Sequence, residues 1–570
     1  MIDHQTYVKY FFKKNRLNTI LTILAYIGIS LLNVLVSWYL QVIFDVMSQD
    51  SSFTFVQLLY FCMAILIAIS LIYFLQYWFF PHFLEKAMTQ FKDKLMKDIL
   101  SKDLSSFAQG NSSLYLSALT NDCERIEQNY LRTIFTLIQL SIMFIGSLSL
   151  MLYFSPILTL ISLLVSILPM IFAMKTATIL AATEKKVSEE NANYLAQTKD
   201  ILNGISIIKS FKAEKEADQL YQQGNHRLER QKRDREHKSL QIAGLGEFTK
   251  LLAQFVVMLS GVWLVLYRPD TLTPGMAIAF TNLMNFVLQP IATIPQLLGQ
   301  RKAAIVLLDK LANQIKQVDK DQGVTLSAPL NRGFSLQDIS FSYKDSGNVW
   351  ALADINLELE LGKSYAIVGG SGSGKTSLIN LLMGLYDTYQ GSLSLNNIEV
   401  REITTSSLYD VMSLIQQSVF IFDASIVENI TMFRNFPQSD IDRVIQLAGL
   451  VELIESHGQD YNCGENGCNL SGGEKQRIAI ARSLLQESEI LLVDEATSAL
   501  DNQTAANITQ AILDLSGLMR IVVTHRLEEK FLQQYDQIVV LKEGKLIEQG
   551  TFHQLMAEKK YFYSLFTVAN

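Results

Sequence analysis

Long uncharged runs of apolar residues alternate with charged segments in the first half of the chain. Residues 17–44 and 133–174 carry no charged side chain, and residues 55–84 carry none apart from one histidine. The run at 133–174 is roughly twice as long as one membrane span. It contains Ser155-Pro156 near its middle, which predicts a tight turn between two helices. Because a helix needs about 20 apolar residues to cross a bilayer, these runs predict four membrane spans.

Two further apolar runs lie before residue 300, and the first of them carries Glu247 and Lys250 only at its inner end. The six predicted spans are residues 17–44, 55–84, 133–154, 157–180, 246–267 and 273–300. Buried helices of a large soluble protein are the alternative, but uncharged runs of this length between basic loops favour membrane spans. The first run is too long for the apolar part of a cleaved signal peptide, so we expect it to be retained.

Lysine and arginine are placed in alternate loops. They are frequent before the first span, after the second span and in residues 175–238, whereas residues 45–54 and the Ser155-Pro156 turn have none. Basic loops face the cytoplasm. We therefore expect a multi-pass protein of the plasma membrane, in bacteria the inner membrane, with both termini in the cytoplasm.

The charged segments between the spans also predict helices. Apolar and charged residues recur at helical spacing in residues 85–130 and 181–245, so the membrane helices are expected to continue into the cytoplasm. Residues 311–332 are polar without a sustained period, which predicts a linker. The predicted domains are a transmembrane domain at 1–310 and a soluble α/β domain at 333–570.

The overall composition agrees with a membrane protein and excludes two other classes. Charged residues make up 18% of the 570 residues, against about 25% in an ordinary soluble protein. The net charge of −7 argues against binding nucleic acid through bulk positive charge, so we expect no nucleic-acid partner. Four cysteines in a chain of this size exclude a disulfide scaffold.

A glycine-rich segment in the soluble half fits the phosphate-loop pattern G-x-x-x-x-G-K-[ST]. Its residues are Gly369, Gly370, Ser371, Gly372, Ser373, Gly374, Lys375 and Thr376. An apolar strand-like run precedes it and a helix-like run follows it, which disfavours a flexible linker; the dinucleotide pattern G-x-G-x-x-G is not satisfied. In such a loop, backbone N–H groups approach phosphate oxygens, Lys375 reaches the β- and γ-phosphates and the Thr376 hydroxyl ligates Mg²⁺.

A second segment supplies the carboxylates that phosphoryl transfer needs. The apolar run 490–493 ends in Asp494 and Glu495, which predicts a buried strand with two acidic side chains at its carboxyl end. Asp494 would hold the metal directly or through water, and Glu495 would polarise the attacking water. The two segments together predict an ATP site with Mg²⁺.

The order of the motifs resembles that of the ATP-binding cassette (ABC) transporter family. Leu470-Ser471-Gly472-Gly473-Glu474 is similar to the family signature, with Glu474 in place of the usual Gln. The resemblance implies further nucleotide contacts for these residues: Gln417 of the Q-loop near Mg²⁺ and the attacking water, Asp501 of the D-loop, His525 at the γ-phosphate, Tyr343 stacked on adenine, and Ser377 after the phosphate loop.

The resemblance also implies the architecture of a half-transporter. The expected fold is a multidomain membrane protein, an all-α six-helix transmembrane domain followed by an α/β P-loop ATP-binding cassette domain. In this family two cassettes pack head to tail, so Ser471, Gly472 and Gly473 would serve the partner's nucleotide. Residues 113–122 and 204–211 are similar to coupling segments. A homodimer would own two competent sites, although a heterodimer with a related half-transporter stays open.

Four polar residues of the sixth span are candidates for the substrate path. They share one helix face and are Asn282, Asn285, Gln289 and Gln296. Such residues either line a cavity or form interhelical hydrogen bonds, and the sequence does not choose between them. The expected function is export of a peptide, drug-like amphiphile or lipid, driven by ATP hydrolysis. The alternatives are a lipid flippase or importer on the same fold, or an ATP-gated channel or sensor.

Overall fold

A computed structural model describes residues 4–48, 53–102, 112–268, 271–315, 323–343, 349–417, 419–495, 502–515 and 517–569. The chain forms two compact units, Met1–Leu100 with Ser112–Lys316, and Ser101–Asn111 with Gln317–Asn570. The first unit is helical and the second combines helices with two sheets. This order confirms the predicted fold class.

The first unit consists mainly of long helices. In chain order they are α1 (His4–Phe12), α2 (Arg16–Met47), α3 (Phe55–Leu100), α4 (Tyr115–Phe154), α5 (Pro156–Asn203), α6 (Ile205–Ser210), α7 (Glu214–Tyr267) and α8 (Pro274–Ile315). The start of α4 contains π-helical turns at Ala118–Asp122 and Glu127–Arg132. Between α4 and α5 the chain turns at Ser155, whose Oγ caps α5 by accepting a hydrogen bond from Leu158 N at 3.4 Å.

Five of these helices, α2, α3, α4, α7 and α8, are long and apolar enough to cross a membrane. In α5 the apolar part is the shorter segment Pro156–Phe172. Large apolar side chains stay exposed along the helices, for example Ile67 and Leu259, which are 64% and 65% exposed. An apolar surface of this extent fits contact with lipid or with a second subunit.

The long helices pack against each other beyond their apolar segments. The α5–α7 pair is joined by a hydrogen bond between the hydroxyls of Tyr194 and Tyr221 at 2.9 Å, and by Gln197 Nε2 donating to Leu220 O at 3.0 Å. A methyl group on Gly224 would lie 2.3 Å from Gln197 Oε1, so the glycine allows the two helices to approach closely. The pair therefore forms a stalk made of two antiparallel helices.

The second unit has one antiparallel and one mostly parallel sheet. The strands are β1 (Phe334–Phe341), β2 (Leu352–Leu359), β3 (Ser364–Gly369), β4 (Tyr389–Leu395), β5 (Ile398–Glu399), β6 (Met412–Ile415), β7 (Ile490–Asp494), β8 (Met519–Val523), β9 (Gln537–Lys542) and β10 (Lys545–Gly550). The four-stranded sheet has the order β2-β1-β4-β5, and the six-stranded sheet has the order β10-β9-β3-β8-β7-β6. Among the described strands of the larger sheet, β10 alone runs antiparallel to its neighbour.

The second unit also contains helices, several of which pack against the larger sheet. They are α9 (Lys375–Leu382), α10 (Thr405–Val411), α11 (Ile426–Thr431), α12 (Gln438–Leu447), α13 (Val451–His457), α14 (Gly472–Leu485), α15 (Asn502–Asp514), α16 (Glu529–Leu532), α17 (Phe552–Glu558) and α18 (Tyr561–Ala569). Every residue of β3, β7 and β8 is buried, as expected for parallel strands with both faces covered. The carboxyl ends of these strands meet at one edge, where α/β proteins place their ligands.

The predicted linker at 311–332 differs from the observed structure at both ends. Helix α8 continues through Ile315. Leu326 and Leu330 are buried in the core of the second unit, and Val324 N donates to Glu402 O at 2.7 Å. Polar composition predicted a linker here because the two leucines that anchor the segment are too few to produce a periodic signal.

Candidate nucleotide site

The phosphate loop runs from the end of β3 at Gly369 to the start of α9 at Lys375. A methyl group on Gly369 would lie 2.3 Å from Leu541 O, and one on Gly374 would lie 2.7 Å from Ala351 O. Gly374 also has a left-handed backbone with φ +100°. These two positions therefore require glycine, because a side chain would collide with neighbouring backbone.

Lys375 is folded onto the loop that precedes it. Its Nζ donates to Gly369 O at 3.1 Å and to Gly370 O at 2.9 Å, and the residue is only 5% exposed. Burial lowers the pKa of Lys375, and the nearby carboxylates of Glu495 and Asp494 oppose that shift. The ammonium group is thus already located at the centre of the loop.

Ser373 provides a test of whether the loop fits phosphate. Its Oγ is buried and has no hydrogen-bond partner among the described residues. A buried hydroxyl without a partner is costly, and a phosphate oxygen would supply the missing acceptor. Together with the glycine cradle and Lys375, this orphaned hydroxyl fits a bound polyphosphate.

Asp494 and Thr376 form the candidate metal position. Thr376 Oγ1 donates to Asp494 Oδ1 at 3.5 Å. Burial raises the pKa of Asp494, and the hydrogen bond from Thr376 lowers it in part. A bound divalent cation would favour the charged carboxylate. No group of three or more His, Cys, Asp and Glu side chains suited to a metal occurs in the described part of the chain, so phosphate oxygens would have to complete the coordination.

Glu495 lies between two other predicted site residues, Gln417 and His525. Gln417 Nε2 donates to Glu495 Oε2 at 2.9 Å, and His525 Nε2 lies 2.6 Å from Glu495 Oε1. The Glu495 backbone is left-handed, with φ +51°, and its N–H donates to Val523 O at 3.2 Å. Strained conformations of this kind concentrate at functional sites.

Tyr343 lies beside the first turn of α9. Its hydroxyl forms a hydrogen bond with Ser377 Oγ at 2.9 Å, and its ring lies edge-on to Tyr386 with centroids 5.5 Å apart. The structure therefore brings the predicted adenine-stacking residue next to the phosphate loop. Tyr386 is a neighbour that sequence reasoning missed.

The signature residues form the N-terminus of α14. Ser471 Oγ accepts a hydrogen bond from Glu474 N at 3.3 Å, and Glu474 Oε2 accepts one from Ser471 N at 2.7 Å. This reciprocal pair is a capping box, in which Glu474, the residue that replaces the usual Gln, supplies the side-chain acceptor. Among the described residues no hydrogen bond joins Ser471, Gly472 or Gly473 to the phosphate loop. Asp501 and the rest of the predicted D-loop lie outside the described residues.

The structure thus brings Lys375, Thr376, Asp494, Glu495, Gln417 and His525 into one cluster within the cassette. A cavity of about 420 Å³ lies beside this cluster. Gly370 and His525 line it on the catalytic side, and Tyr561 and Leu565 of α18 line it on the other. Sequence reasoning did not place α18 at the site, because no motif marks these residues.

The polar residues of the sixth predicted span divide into two pairs. Asn282 Nδ2 donates to Ser37 Oγ at 2.9 Å, and Gln254 Nε2 donates to Asn285 Oδ1 at 2.6 Å. These two asparagines therefore form interhelical hydrogen bonds, the second of the alternatives considered for them. Gln289 and Gln296 are exposed.

A buried carboxylate in the first unit was also missed. Asp45 of α2 is 5% exposed, and its Oδ1 accepts a hydrogen bond from Gly275 N at 3.0 Å. Gln41 Nε2 donates to Asp45 Oδ2 at 2.8 Å. Asp45 thereby caps the N-terminus of α8 from another helix.

Comparison with known proteins identifies both halves of the chain. Residues 19–291 match the family model of the ABC transporter transmembrane region, and residues 352–498 match that of the ABC transporter. An ATP-dependent lipid A-core flippase of Pectobacterium atrosepticum is 27% identical over 484 residues, covering 83% of this chain and 81% of the flippase. The heterocyst differentiation ATP-binding protein HepA of a Nostoc species is 29% identical, covering 83% of this chain and 78% of HepA.

A solved structure shares the fold of the whole chain. It is a bacterial Atm1-family ABC exporter with ATP bound, and it superposes with a TM-score of 0.75 at 22% sequence identity. The match covers 98% of this chain and 99% of the other.

Proposed function

This chain belongs to the ABC transporter family as an exporter-type half-transporter, and we propose from that premise that two copies of it form a Mg²⁺-dependent, ATP-driven lipid or amphiphile exporter of the cytoplasmic membrane. The chain is an ATPase coupled to transport across a membrane. The position of Glu495 between Gln417 and His525 carries the proposal.

Glu495 is the general base of the proposed reaction. Its carboxylate accepts the proton of the attacking water, while Gln417 and His525 fix the orientation of its two oxygens. Both partners can donate hydrogen bonds to a carboxylate, and such charge-assisted hydrogen bonds are stronger than those between neutral groups. We also assign to His525 a contact with the terminal phosphate, as the family resemblance implies.

Lys375, Ser373 and Thr376 bind the phosphates in this scheme. Lys375 exchanges the carbonyls of Gly369 and Gly370 for phosphate oxygens, and Ser373 Oγ gains the acceptor it lacks. Thr376 and Asp494, with Gln417, would hold Mg²⁺. When bound, the ion supplies Lewis-acid polarisation of the phosphoryl oxygens.

The signature residues support a dimer. The N-terminus of α14 is formed by Ser471, Gly472 and Gly473, which are exposed or half-buried. Free N–H groups and the helix dipole favour an anion at such a helix end. Among the described residues, the side-chain hydrogen bonds of Ser471 stay inside its own cap. We assign them to the nucleotide of the partner's cassette, so each site is complete only in the dimer.

A lipid or other amphiphile is the proposed substrate class. The flippases similar to this chain are named for lipid A-core, and HepA is named for heterocyst differentiation, so the relatives do not fix one molecule. The membrane helices present mainly apolar surfaces, with Gln289 and Gln296 among the exposed polar residues of α8. Such a surface suits a molecule with a long apolar part and a polar head.

The first prediction concerns Glu495. Glu495→Gln retains the shape of the side chain but removes the base, so we expect ATPase activity to fall by at least about 100-fold while ATP still binds. The measurement is Mg-ATPase activity of the purified chain in lipid nanodiscs. Glu487→Gln, a carboxylate that pairs with Arg443 instead, serves as the matched control and should keep normal activity.

Transport is measured on the same proteins in inside-out vesicles. ATP-dependent accumulation of a fluorescent phospholipid against its gradient, lost in Glu495→Gln, is the expected result. Movement only down the gradient would identify an ATP-gated channel and contradict the pump. ATPase activity that appears only after a second half-transporter is added would replace the homodimer with a heterodimer.

A further inference from the structure

The C-terminal helix α18 faces the nucleotide site across a cavity. Its Tyr561 and Leu565 form one wall of the 420 Å³ cavity, and Gly370 and His525 form the other. None of the catalytic or phosphate-binding roles described above involves α18. The position of this helix beside the loop therefore needs its own explanation.

Tyr561 is the residue of α18 that reaches the phosphate loop. A methyl group placed on Gly370 would lie 3.8 Å from the Tyr561 hydroxyl, so the tyrosine and the loop are neighbours along the wall of the cavity. Within the described residues no hydrogen bond involves this hydroxyl. The Tyr561 ring also lies under Lys542 Nζ, 4.9 Å from the ring centroid. Lys542 is the last residue of β9. It follows Leu541, whose carbonyl oxygen lies so close to Gly369 that a side chain there would collide with it. Tyr561 thus packs where the loop leaves the sheet.

Glu548 holds the backbone of Tyr561 in place. This glutamate of β10 is 8% exposed, and its Oε1 accepts hydrogen bonds from Tyr561 N at 2.7 Å and Phe562 N at 3.3 Å. The carboxylate therefore caps the N-terminus of α18, where negative charge is favoured. Phe562 is fully buried and packs edge-on to Phe552 with ring centroids 6.0 Å apart, so the first turn of α18 cannot shift freely.

We propose that Tyr561 is a positioning residue of the nucleotide site, which holds the phosphate loop at Gly370, and that Glu548 holds Tyr561 in turn. Within the loop, Ser373 N donates to Gly370 O at 3.2 Å, and Lys375 Nζ donates to the carbonyls of Gly369 and Gly370. Because Lys375 turns to the phosphates in the proposed function, a neighbour on the cavity side is needed to keep Gly370 in place. Since the loop binds phosphate through backbone N–H groups, a displacement of about 1 Å weakens several contacts at once. The inference rests on the proposed function because it takes the loop's ligand to be ATP.

The experiment compares ATP saturation curves of full-length variants in lipid nanodiscs. In Tyr561→Ala we expect the KM for ATP to rise about tenfold, with kcat changed less than about threefold, because ground-state binding is lost. Tyr561→Phe keeps the ring and should give a smaller rise, and Glu548→Gln, which removes the capping charge, should also raise KM. Tyr563→Ala is the matched control: it removes a tyrosine of the same helix that does not line the cavity, and KM should stay unchanged.

A role limited to stability predicts a different pattern. Partial unfolding reduces the amount of active enzyme, so it lowers the melting temperature and the apparent kcat but leaves KM unaltered. That pattern in Tyr561→Ala, or an equal rise of KM in Tyr563→Ala, overturns the inference. ATP binding by equilibrium dialysis is measured on the same variants in the Glu495→Gln background. A wild type that binds ATP without hydrolysing it would contradict the proposed function, while the dialysis would still decide the role of Tyr561.

Discussion

Gly372 and Gly374 share a left-handed backbone but differ in the space around them. Their φ values are +75° and +100°. A methyl group on Gly374 would collide with Ala351 O at 2.7 Å, whereas one on Gly372 would meet no atom within 4 Å. Alanine at either position costs about 1–2 kcal/mol of backbone strain, but only at Gly374 must the loop also move.

The expected outcome is therefore a graded loss of ATP affinity. Gly374→Ala should raise the Kd for ATP at least about tenfold more than Gly372→Ala, because the displaced loop misaligns its N–H groups and Lys375. Titration calorimetry on each variant measures the difference. Equal losses would show that backbone strain alone, and not crowding by Ala351, determines the requirement for glycine.

Residues whose chemical role requires a particular residue type in a short motif were predictable from the sequence. Lys375, Asp494 and Glu495 were located because phosphate binding demands certain residue types at fixed spacing next to strands. Tyr561 and Asp45 were not, because the residues beside which they lie, Gly370 and Gly275, are far away in the chain. A tyrosine in an ordinary amphipathic helix and an aspartate at the end of an apolar run carry no local signal of such partners.

Among the secondary-structure elements, the junction of α2 and α8 depends on a glycine. Gly275 lies at the start of α8, and a methyl group there would be 2.3 Å from Gln41 O and 2.4 Å from Asp45 Oδ1. Glycine lets the N-terminus of α8 approach closely enough for Asp45 to cap it. The sequence predicted both helices from their apolar runs but not this contact. An apolar run indicates how long a helix is, but it does not indicate which other helix it packs against.

Gly275→Ala should accordingly destabilise the first unit by about 2 kcal/mol, because it displaces the helix and removes the cap. Gly299→Ala is the matched control on the same helix. A methyl group there meets nothing within 4 Å, and alanine favours a helix interior by about 0.5–1 kcal/mol. Thermal melting in detergent compares the two, and a Gly275→Ala protein as stable as Gly299→Ala would contradict the tight junction.

For the whole molecule, the proposed homodimer predicts how mixed subunits behave. Co-expression of equal amounts of wild type and Glu495→Gln should yield about a quarter wild-type dimers, about half mixed dimers and about a quarter dimers in which both chains carry Glu495→Gln. If each composite site requires closure of both cassettes, mixed dimers are inactive and ATPase activity falls to about a quarter. Activity near half would instead show that the two sites work independently. Differently tagged subunits allow the mixed dimers to be purified and measured directly.

The α5–α7 stalk has a mechanical consequence. At 1.5 Å per residue, the 48 residues of α5 span about 72 Å, and the hydroxyls of Tyr194 and Tyr221 tie the two helices together near one end. A rod of this length acts as a lever arm. Tilting it by about 5° about one end moves the other by about 6 Å, which is more than one helical turn. A small rotation at Ile205–Ser210 would therefore be magnified into a displacement large enough to open or close a path between helices.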